Sequence, residues 1–127
     1  MNEKKIMVLL LSLLLMMGML SGCSTDGIHR ENMLDQGTLY SSGGYQRYHT
    51  LSEENGGYLS FWVENQGNGP VVLMVNGKNE LRVESGTAGE ITVPVKDFLF
   101  WERDYYVQCV TASGDDVDIT YRLNQHN

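Results

Sequence analysis

The sequence is poor in cysteine, proline and positive charge. It has two cysteines and two prolines in 127 residues, and its nine basic residues are outnumbered by 16 acidic ones. Two cysteines cannot form the disulfide framework that holds many small exported domains together. A net charge of −7 argues against nucleic acid as a partner and against charge-driven attachment to an anionic membrane.

Short motifs that carry common enzyme chemistries are also absent. There is no H-E-x-x-H, no G-x-S-x-G, no phosphate-binding glycine loop and no C-x-x-C pair. The three histidines, His29, His49 and His126, stand far apart in the chain. Nearly all acidic residues fall in turns or at outward strand positions. We therefore expect a protein that is not an enzyme and that needs no cofactor.

The N-terminus contains the longest apolar run. Residues 1–5 carry a net positive charge, and residues 6–20 are apolar except for Ser12 and Gly18. A helix that spans a bilayer takes about 20 apolar residues. A shorter run after a basic start is typical of a secretory signal peptide.

The segment Leu20-Ser21-Gly22-Cys23, which ends this run, resembles the lipobox of bacterial lipoproteins. That resemblance implies that the thiol of Cys23 receives a diacylglyceryl group and that the peptide is cut just before it. We expect a signal peptide at 1–22, a lipidated N-terminus and flexible tether at 23–36, and a folded domain at 37–127. The lipid on Cys23 would anchor the domain to the cell membrane or outer membrane, on the side away from the cytoplasm.

The chain that remains after cleavage is 105 residues long and would form one domain. Its 7 basic and 15 acidic residues keep it acidic. Cys109 is then the one cysteine without a lipid, and we expect it to be a small buried residue in a strand. The tether is mostly polar and shows no strand alternation, with a short helix over 30–35 as the alternative.

The domain alternates turn clusters with short segments rich in valine, isoleucine, tyrosine and phenylalanine. The turn clusters lie at 41–44, 53–57, 65–70, 76–79, 84–89 and 112–116. This spacing predicts an all-β fold, a single antiparallel β-sandwich of about seven or eight strands, Ig-like or jelly-roll-like. The stretch VENQGNGPVVLMVNG, residues 63–77, resembles the strand–loop–strand units of bacterial Ig-like surface modules.

Alternation within the segments assigns residues to the interior. The Asn76-Gly77 pair predicts a type I′ hairpin, because both central positions of that turn need a positive φ. Pro94 cannot donate to a ladder, which places its strand at a sheet edge or ends it there. The residues predicted to face inward are Leu59, Phe61, Val63, Leu81, Val83, Ile91, Val93, Val95, Tyr105, Val107, Cys109, Val117, Ile119, Tyr121 and Leu123. In the segment 71–75, Val71, Leu73 and Val75 oppose Val72 and Met74, so both faces are apolar and a central or covered strand is predicted.

Aromatic residues give the main indication of function. Tyr58, Trp62 and Tyr106 are predicted to face away from the core, and Trp101 lies in an apolar loop at 97–104. Rows of tryptophan and tyrosine on a sheet are typical of carbohydrate-binding sandwiches, and Gln108 and Glu64 would hydrogen-bond to sugar hydroxyls if their strands pair. Two interpretations stay open: Trp62 packs under the loop, or the aromatics form an open surface. The candidate ligand or partner surface is Tyr58, Trp62, Trp101, Tyr106 and Gln108.

A calcium site is a weaker candidate. Asp115, Asp116 and Asp118 offer hard oxygen ligands within four residues. Calcium commonly takes six or more oxygens, and no second acidic cluster completes the set. A solvated turn is the favoured interpretation.

These patterns together predict a membrane-anchored envelope lipoprotein that acts as a non-catalytic binding module for a glycan or a protein. The alternative is a structural or assembly role, in which the apolar loop docks onto an envelope complex or a second copy.

The lipobox gives a direct prediction. Cys23→Ala should abolish acyl labelling and leave an unprocessed precursor, because the acceptor thiol is gone. Radiolabelled fatty acid and the gel mobility of the chain measure both effects. Normal maturation of the variant would contradict the lipoprotein interpretation.

Overall fold

A computed structural model describes residues 31–127. The predicted signal peptide, the lipobox with Cys23 and the segment 24–30 lie outside these residues. Over residues 31–127 there is no helix of the length and apolarity needed to cross a membrane.

The described chain consists of eight β-strands and one short 3₁₀ turn, Glu53–Asn55. The strands follow the predicted alternation of apolar segments and glycine-rich turns. Their bounds are β1 Glu31–Ser41, β2 Tyr45–Leu51, β3 Tyr58–Asn65, β4 Val71–Val75, β5 Lys78–Val83, β6 Ala88–Pro94, β7 Arg103–Thr111 and β8 Val117–His126.

The strands form two antiparallel four-stranded sheets packed face to face. Sheet I has the order β1-β8-β3-β6, and sheet II has the order β2-β7-β4-β5. Successive strands alternate between the sheets, except at the β4–β5 hairpin. The prediction of an all-β antiparallel sandwich is confirmed, and the strand order is that of a jelly roll.

The interior is built as the alternation predicts. Every residue predicted to face inward is buried except Leu81, which is half-buried and packs against the core. β2 adds Tyr45 and Leu51, and β4 adds Val71, Leu73 and Val75, none of which was assigned to the interior from the sequence. The Tyr45 ring lies 5.3 Å from the Phe61 ring and 4.8 Å from the Tyr121 ring, so β2 of sheet II packs on β3 and β8 of sheet I.

Two buried amides hold the loops at the two ends of the core. Asn65 is fully buried, and its Nδ2 donates to the carbonyls of Gly69 (2.8 Å) and Val83 (3.0 Å). Gln125 is 1% exposed at the other end, and its Nε2 donates to the carbonyls of Ser52 (2.6 Å) and Gly56 (2.9 Å). Because buried polar groups are costly without partners, these bonds fix the loop positions.

Two local predictions are confirmed. Asn76 and Gly77 have φ values of 54° and 70° and join β4 to β5, as a type I′ hairpin requires. Pro94 is the last residue of β6, and β6 is an edge strand of sheet I.

The predicted tether is too long. β1 begins at Glu31, so residues 31–36 are strand rather than tether or helix. β1 is an edge strand with a bulge at Leu34, between the pairs formed by Met33 and Asp35. A bulge shifts the side-chain alternation by one residue, which hides the strand from a period-two pattern.

The bulge turns Asp35 toward sheet II. Its carboxylate accepts hydrogen bonds from the Tyr45 hydroxyl (2.8 Å), Arg47 Nη1 (2.6 Å) and the Tyr121 hydroxyl (3.4 Å). This cluster joins the two sheets along one edge of the sandwich. His49 Nε2 lies 3.1 Å from the same Tyr45 hydroxyl. Since that hydroxyl has one hydrogen and donates it to Asp35, Nε2 of His49 is the donor in this contact.

His49 makes stability depend on pH. Burial lowers its pKa, an effect that the Asp35 carboxylate opposes and Arg47 supports. An unfolded histidine titrates near pH 6.5. The unfolded chain therefore binds more protons as the pH falls through this range, and the folded state loses stability there.

We expect the urea midpoint to decrease as the pH is lowered from about 7.5 to about 5.5. His49→Gln should make the urea midpoint depend less on pH over this range. His29 and His126 are unchanged in the variant and serve as the internal control. Equal slopes in the two proteins would contradict this assignment.

Cys109 is fully buried in β7, as predicted, and burial raises the pKa of its thiol to about 12. We expect no reaction with a thiol reagent at neutral pH until the protein unfolds, because the thiolate is the reactive form. Cys109→Ser should destabilise by about 1–3 kcal/mol, since a hydroxyl there would lack a partner. Fast labelling of the native protein would contradict this description.

Candidate functional site

The outer face of sheet I presents Trp62 between two charged side chains. Trp62 lies opposite Arg122 of β8 on one side and Glu90 of β6 on the other. The Arg122 guanidinium lies 4.3 Å from the centre of the indole ring, in a cation–π contact. We call the outer surface of sheet I around this residue the Trp62 face.

A row of polar side chains lies next to Trp62 on this face. The Ser60 hydroxyl lies 2.8 Å from Thr92 Oγ1 and 2.7 Å from His126 Nε2. Asn124 Nδ2 donates to Glu31 Oε1 at 2.6 Å. Each side chain is therefore fixed by a neighbour on another strand.

Tyr58 borders the Trp62 face at the start of β3. Its ring stacks on His126, with centroids 5.9 Å apart and planes at 25°, and 49% of Tyr58 is exposed. Tyr58 and Trp62 are four residues apart on one strand, so they lie about 13 Å apart along it. Polar groups fill the space between the two aromatic residues.

Open hollows adjoin one another on this face. The first, of about 380 Å³, is lined by Glu31, Ser60, Glu90, Thr92, Asn124, His126 and Asn127. Trp62 and Arg122 border two others, one toward Gln36 and Thr38 and one toward Met33. The pair therefore forms a ridge between two hollows, and both are lined by side chains held on strands.

The structure does not bring the five residues of the candidate surface together. Tyr58 and Trp62 lie on the Trp62 face. Tyr106 and Gln108 lie on the outer face of sheet II, on the opposite side of the sandwich. Trp101 lies in the β6–β7 connection. Alternation shows which side of its own strand a residue occupies, but it does not show the sheet to which the strand belongs.

On sheet II, Tyr106 has a partner that the sequence analysis missed. Its ring stacks on that of Tyr48, 4.4 Å away, and its hydroxyl donates to Gln46 Oε1 at 2.8 Å. Gln46 lies opposite Gln108. The expectation that Glu64 and Gln108 act together is wrong, because β3 and β7 belong to different sheets.

Trp62 does not pack under the β6–β7 loop. It contacts Arg122, and the hollows beside it are lined by residues of β1, β8, β3 and β6. Trp101 is 70% exposed and forms a bridge with Phe98 instead. Of the two interpretations left open by the sequence, the open aromatic surface fits Trp62.

The three aspartates lie together at the β7–β8 turn, where they line a cleft with Tyr40. Asp116 accepts a hydrogen bond from the Tyr40 hydroxyl (3.1 Å), and Asp115 accepts one from Ser113 (2.7 Å). Between Glu31 and Asn127, no three histidine, cysteine or acidic side chains are arranged to hold a metal. Asp115, Asp116 and Asp118 thus gain no support as a calcium site.

The polar partners of Trp62 were not found from the sequence. Ser60 follows from Trp62 by alternation, but Arg122, Glu90 and His126 depend on which strands pair with β3. The pair of β3 and β8 residues that lies closest in sequence, Asn65 and Ile119, is 54 residues apart. No local pattern reports a pairing at that separation.

Comparisons with known proteins assign this chain to no family. No protein-family model and no curated protein matches the chain. One solved structure, of a family two carbohydrate esterase from Cellvibrio japonicus, has a TM-score of 0.37 and 10% identity over 77% of this chain. The match spans 31% of that protein's length, and a likeness this weak supports no statement about function.

Proposed function

We propose that this protein is a lipid-anchored, non-catalytic binding module that recognises a cell-envelope glycan through the Trp62 face. The observation that carries the proposal is the array of fixed polar side chains around one half-buried tryptophan. Every member of that array stands on a strand, so the surface is rigid.

The chemistry of the face suits a sugar. A saccharide presents apolar C–H faces, which stack on aromatic rings, and hydroxyls, which both donate and accept hydrogen bonds. Trp62 and Tyr58 supply rings at the two ends of the row. Glu90 supplies acceptors, and Arg122 and Asn124 supply donors. Tyr58 and Trp62 are too far apart for one sugar ring, so an oligosaccharide is the better fit.

The side chains of the Trp62 face are held in place before a glycan binds, which favours high affinity for it. Asn124 is held by Glu31, His126 by Ser60 and Tyr58, and Arg122 by the indole of Trp62. Ordering a free side chain on binding costs about 0.5–1.5 kcal/mol, and these groups are already ordered.

The Ser60–His126 contact supports positioning rather than catalysis. A nucleophilic serine needs a base and an approach for the substrate. Ser60 is 4% exposed, and its hydroxyl is shared between Thr92 and His126. His126 Nδ1 lies 3.2 Å from the main-chain oxygen of Asn127.

Glycan titration tests the proposal. Peptidoglycan fragments and envelope polysaccharides are added to the anchored chain in detergent, in a Trp101→Phe background so that Trp62 is the sole reporter. We expect a change in Trp62 fluorescence with one of these glycans. Trp62→Ala should weaken binding at least about tenfold, because the loss of a central aromatic contact commonly has an effect of this size. Calorimetry measures the affinity of this variant, which lacks the fluorescent tryptophan.

Tyr48→Ala is the matched control, because Tyr48 is a 70% exposed aromatic residue on the opposite face. It should leave the affinity unchanged. Equal losses in the two variants would contradict the Trp62 face as the site. No response to any glycan, with self-association that rises with concentration, would favour the assembly role instead.

A further inference from the structure

The connection between β6 and β7 contains a short apolar hairpin. Phe98 and Trp101 exchange two backbone hydrogen bonds of 3.0 Å around a two-residue turn, Leu99 and Phe100. All four side chains are exposed, from 66% for Phe98 to 95% for Phe100. We call residues 98–101 the apolar hairpin. Four large apolar side chains at one projecting tip are unusual on a protein surface in water.

The turn residue itself is unfavourable for folding. Leu99 has a φ of 60°, which a bulky side chain rarely adopts. Two-residue hairpin turns of this kind favour glycine at their first central position. A leucine there sacrifices local stability for an exposed apolar side chain. Conflicts of this kind between sequence and local structure are concentrated at functional sites.

The apolar hairpin lies at the end of the sandwich where the described chain begins. Glu31, the first residue of β1, pairs with His126, and His126 pairs with Tyr58 at the start of β3. Tyr58 in turn pairs with Pro94, just before the β6–β7 connection. The start of β1 and the apolar hairpin therefore share one end, which we call the anchor end.

Hydrogen bonds tie this end together. Asn32 Nδ2 donates to the Asn55 carbonyl at 2.9 Å, which joins β1 to the β2–β3 connection. The backbone N–H of Glu53 donates to Asp97 Oδ1, and the N–H of Asp97 donates to Glu53 Oε1, both at 2.9 Å. The base of the apolar hairpin is thus held in a fixed position relative to the start of β1.

Chain length limits where a lipid on Cys23 can lie. Cys23 precedes Glu31 by eight residues, which reach at most about 29 Å. β1 has 11 residues and is itself about 33 Å long. Cys23 itself therefore cannot extend beyond the far end of the sandwich, which favours contact with the bilayer at the anchor end.

We propose that the apolar hairpin inserts into the interface of the bilayer that holds the lipid on Cys23. This inference rests on the lipid anchor of the proposed function. With the apolar hairpin inserted, the domain stands with its anchor end on the membrane. The Trp62 face then lies on the side of the domain and does not contact the bilayer.

The shape and charge of the hairpin favour a membrane over a protein partner. Its tip is convex and four residues wide, which suits shallow insertion, and tryptophan is enriched at membrane interfaces. Lys96 and Arg103 flank it, but so do Asp97 and Glu102. The driving force is therefore burial of apolar surface and not attraction to anionic headgroups.

Depth-dependent fluorescence quenching tests the inference. The anchored chain is reconstituted into phosphatidylcholine vesicles with bromines at defined acyl positions. In a Trp62→Phe background, Trp101 is the sole tryptophan, and we expect strong quenching by shallow bromines. The control is Tyr40→Trp with Trp62→Phe and Trp101→Phe. Tyr40 is 72% exposed but lies at the opposite end, so no quenching is expected.

Two variants separate insertion from a structural role of the turn. Leu99→Gly should raise the urea midpoint, since glycine accepts the positive φ, and should weaken the quenching of Trp101. Phe100→Ser should also weaken the quenching of Trp101, and more strongly than Leu99→Gly. It should leave the urea midpoint unchanged, because Phe100 is almost fully exposed. An effect of Leu99→Gly on stability alone would overturn the proposal.

Mass spectrometry of the same sample shows whether Cys23 carries acyl groups. A lipidated protein with unquenched Trp101 overturns insertion and leaves the proposed anchor intact. A protein without acyl groups overturns the anchor and, with it, insertion into the anchoring bilayer. Trp101 that is shielded from aqueous iodide but not quenched by bromolipid assigns the hairpin to a protein partner or a second copy.

Discussion

The face-to-face packing of the two sheets is the interaction on which the other features of this protein depend. Over residues 31–127 there is no disulfide, since Cys109 is the single cysteine there and lies buried as a thiol. The two layers are joined by alternating apolar side chains from both inner faces, with Tyr45 at the contact between β2, β3 and β8. Asn65 and Gln125 hold the loops at the two ends of that core. Rigid outer faces and rigid ends follow from this packing.

The jelly-roll order then distributes the exposed features over separate parts of the surface. β3 and β8 are neighbours in sheet I, which sets Trp62 beside Arg122 and Ser60 near His126. The β6–β7 connection leads from sheet I to sheet II at the end where β1 starts, which sets the apolar hairpin at the anchor end. The proposed glycan recognition on a lateral face and the proposed membrane contact at one end are compatible because the two surfaces do not overlap.

Much of the fold could be predicted from the sequence because its signals are local. Period-two alternation identified the inward residues of β3 and of β5 to β8, and Asn76-Gly77 identified the β4–β5 turn. The first six residues of β1 were not predicted as strand, because the bulge at Leu34 interrupts the alternation and much of the strand is exposed.

The candidate site was predicted only in part. Tyr58 and Trp62 share a face, as alternation predicts. Their grouping with Tyr106 was wrong, because alternation does not show which strands form each sheet. That assignment depends on contacts between segments that are distant in the sequence.

In the proposed orientation, the anchored domain stands on the membrane by its anchor end. The most direct test of this orientation is the distance from the bilayer to the opposite end, measured by energy transfer from a dye at Ser113→Cys to acceptor lipids. Ser113 lies in the exposed β7–β8 turn, and the buried thiol of Cys109 would not compete for the dye. For this orientation we expect one narrow distance of roughly 30 Å, the length of a ten-residue strand. A dye within about 10 Å of the bilayer, or a broad spread of distances, would contradict it.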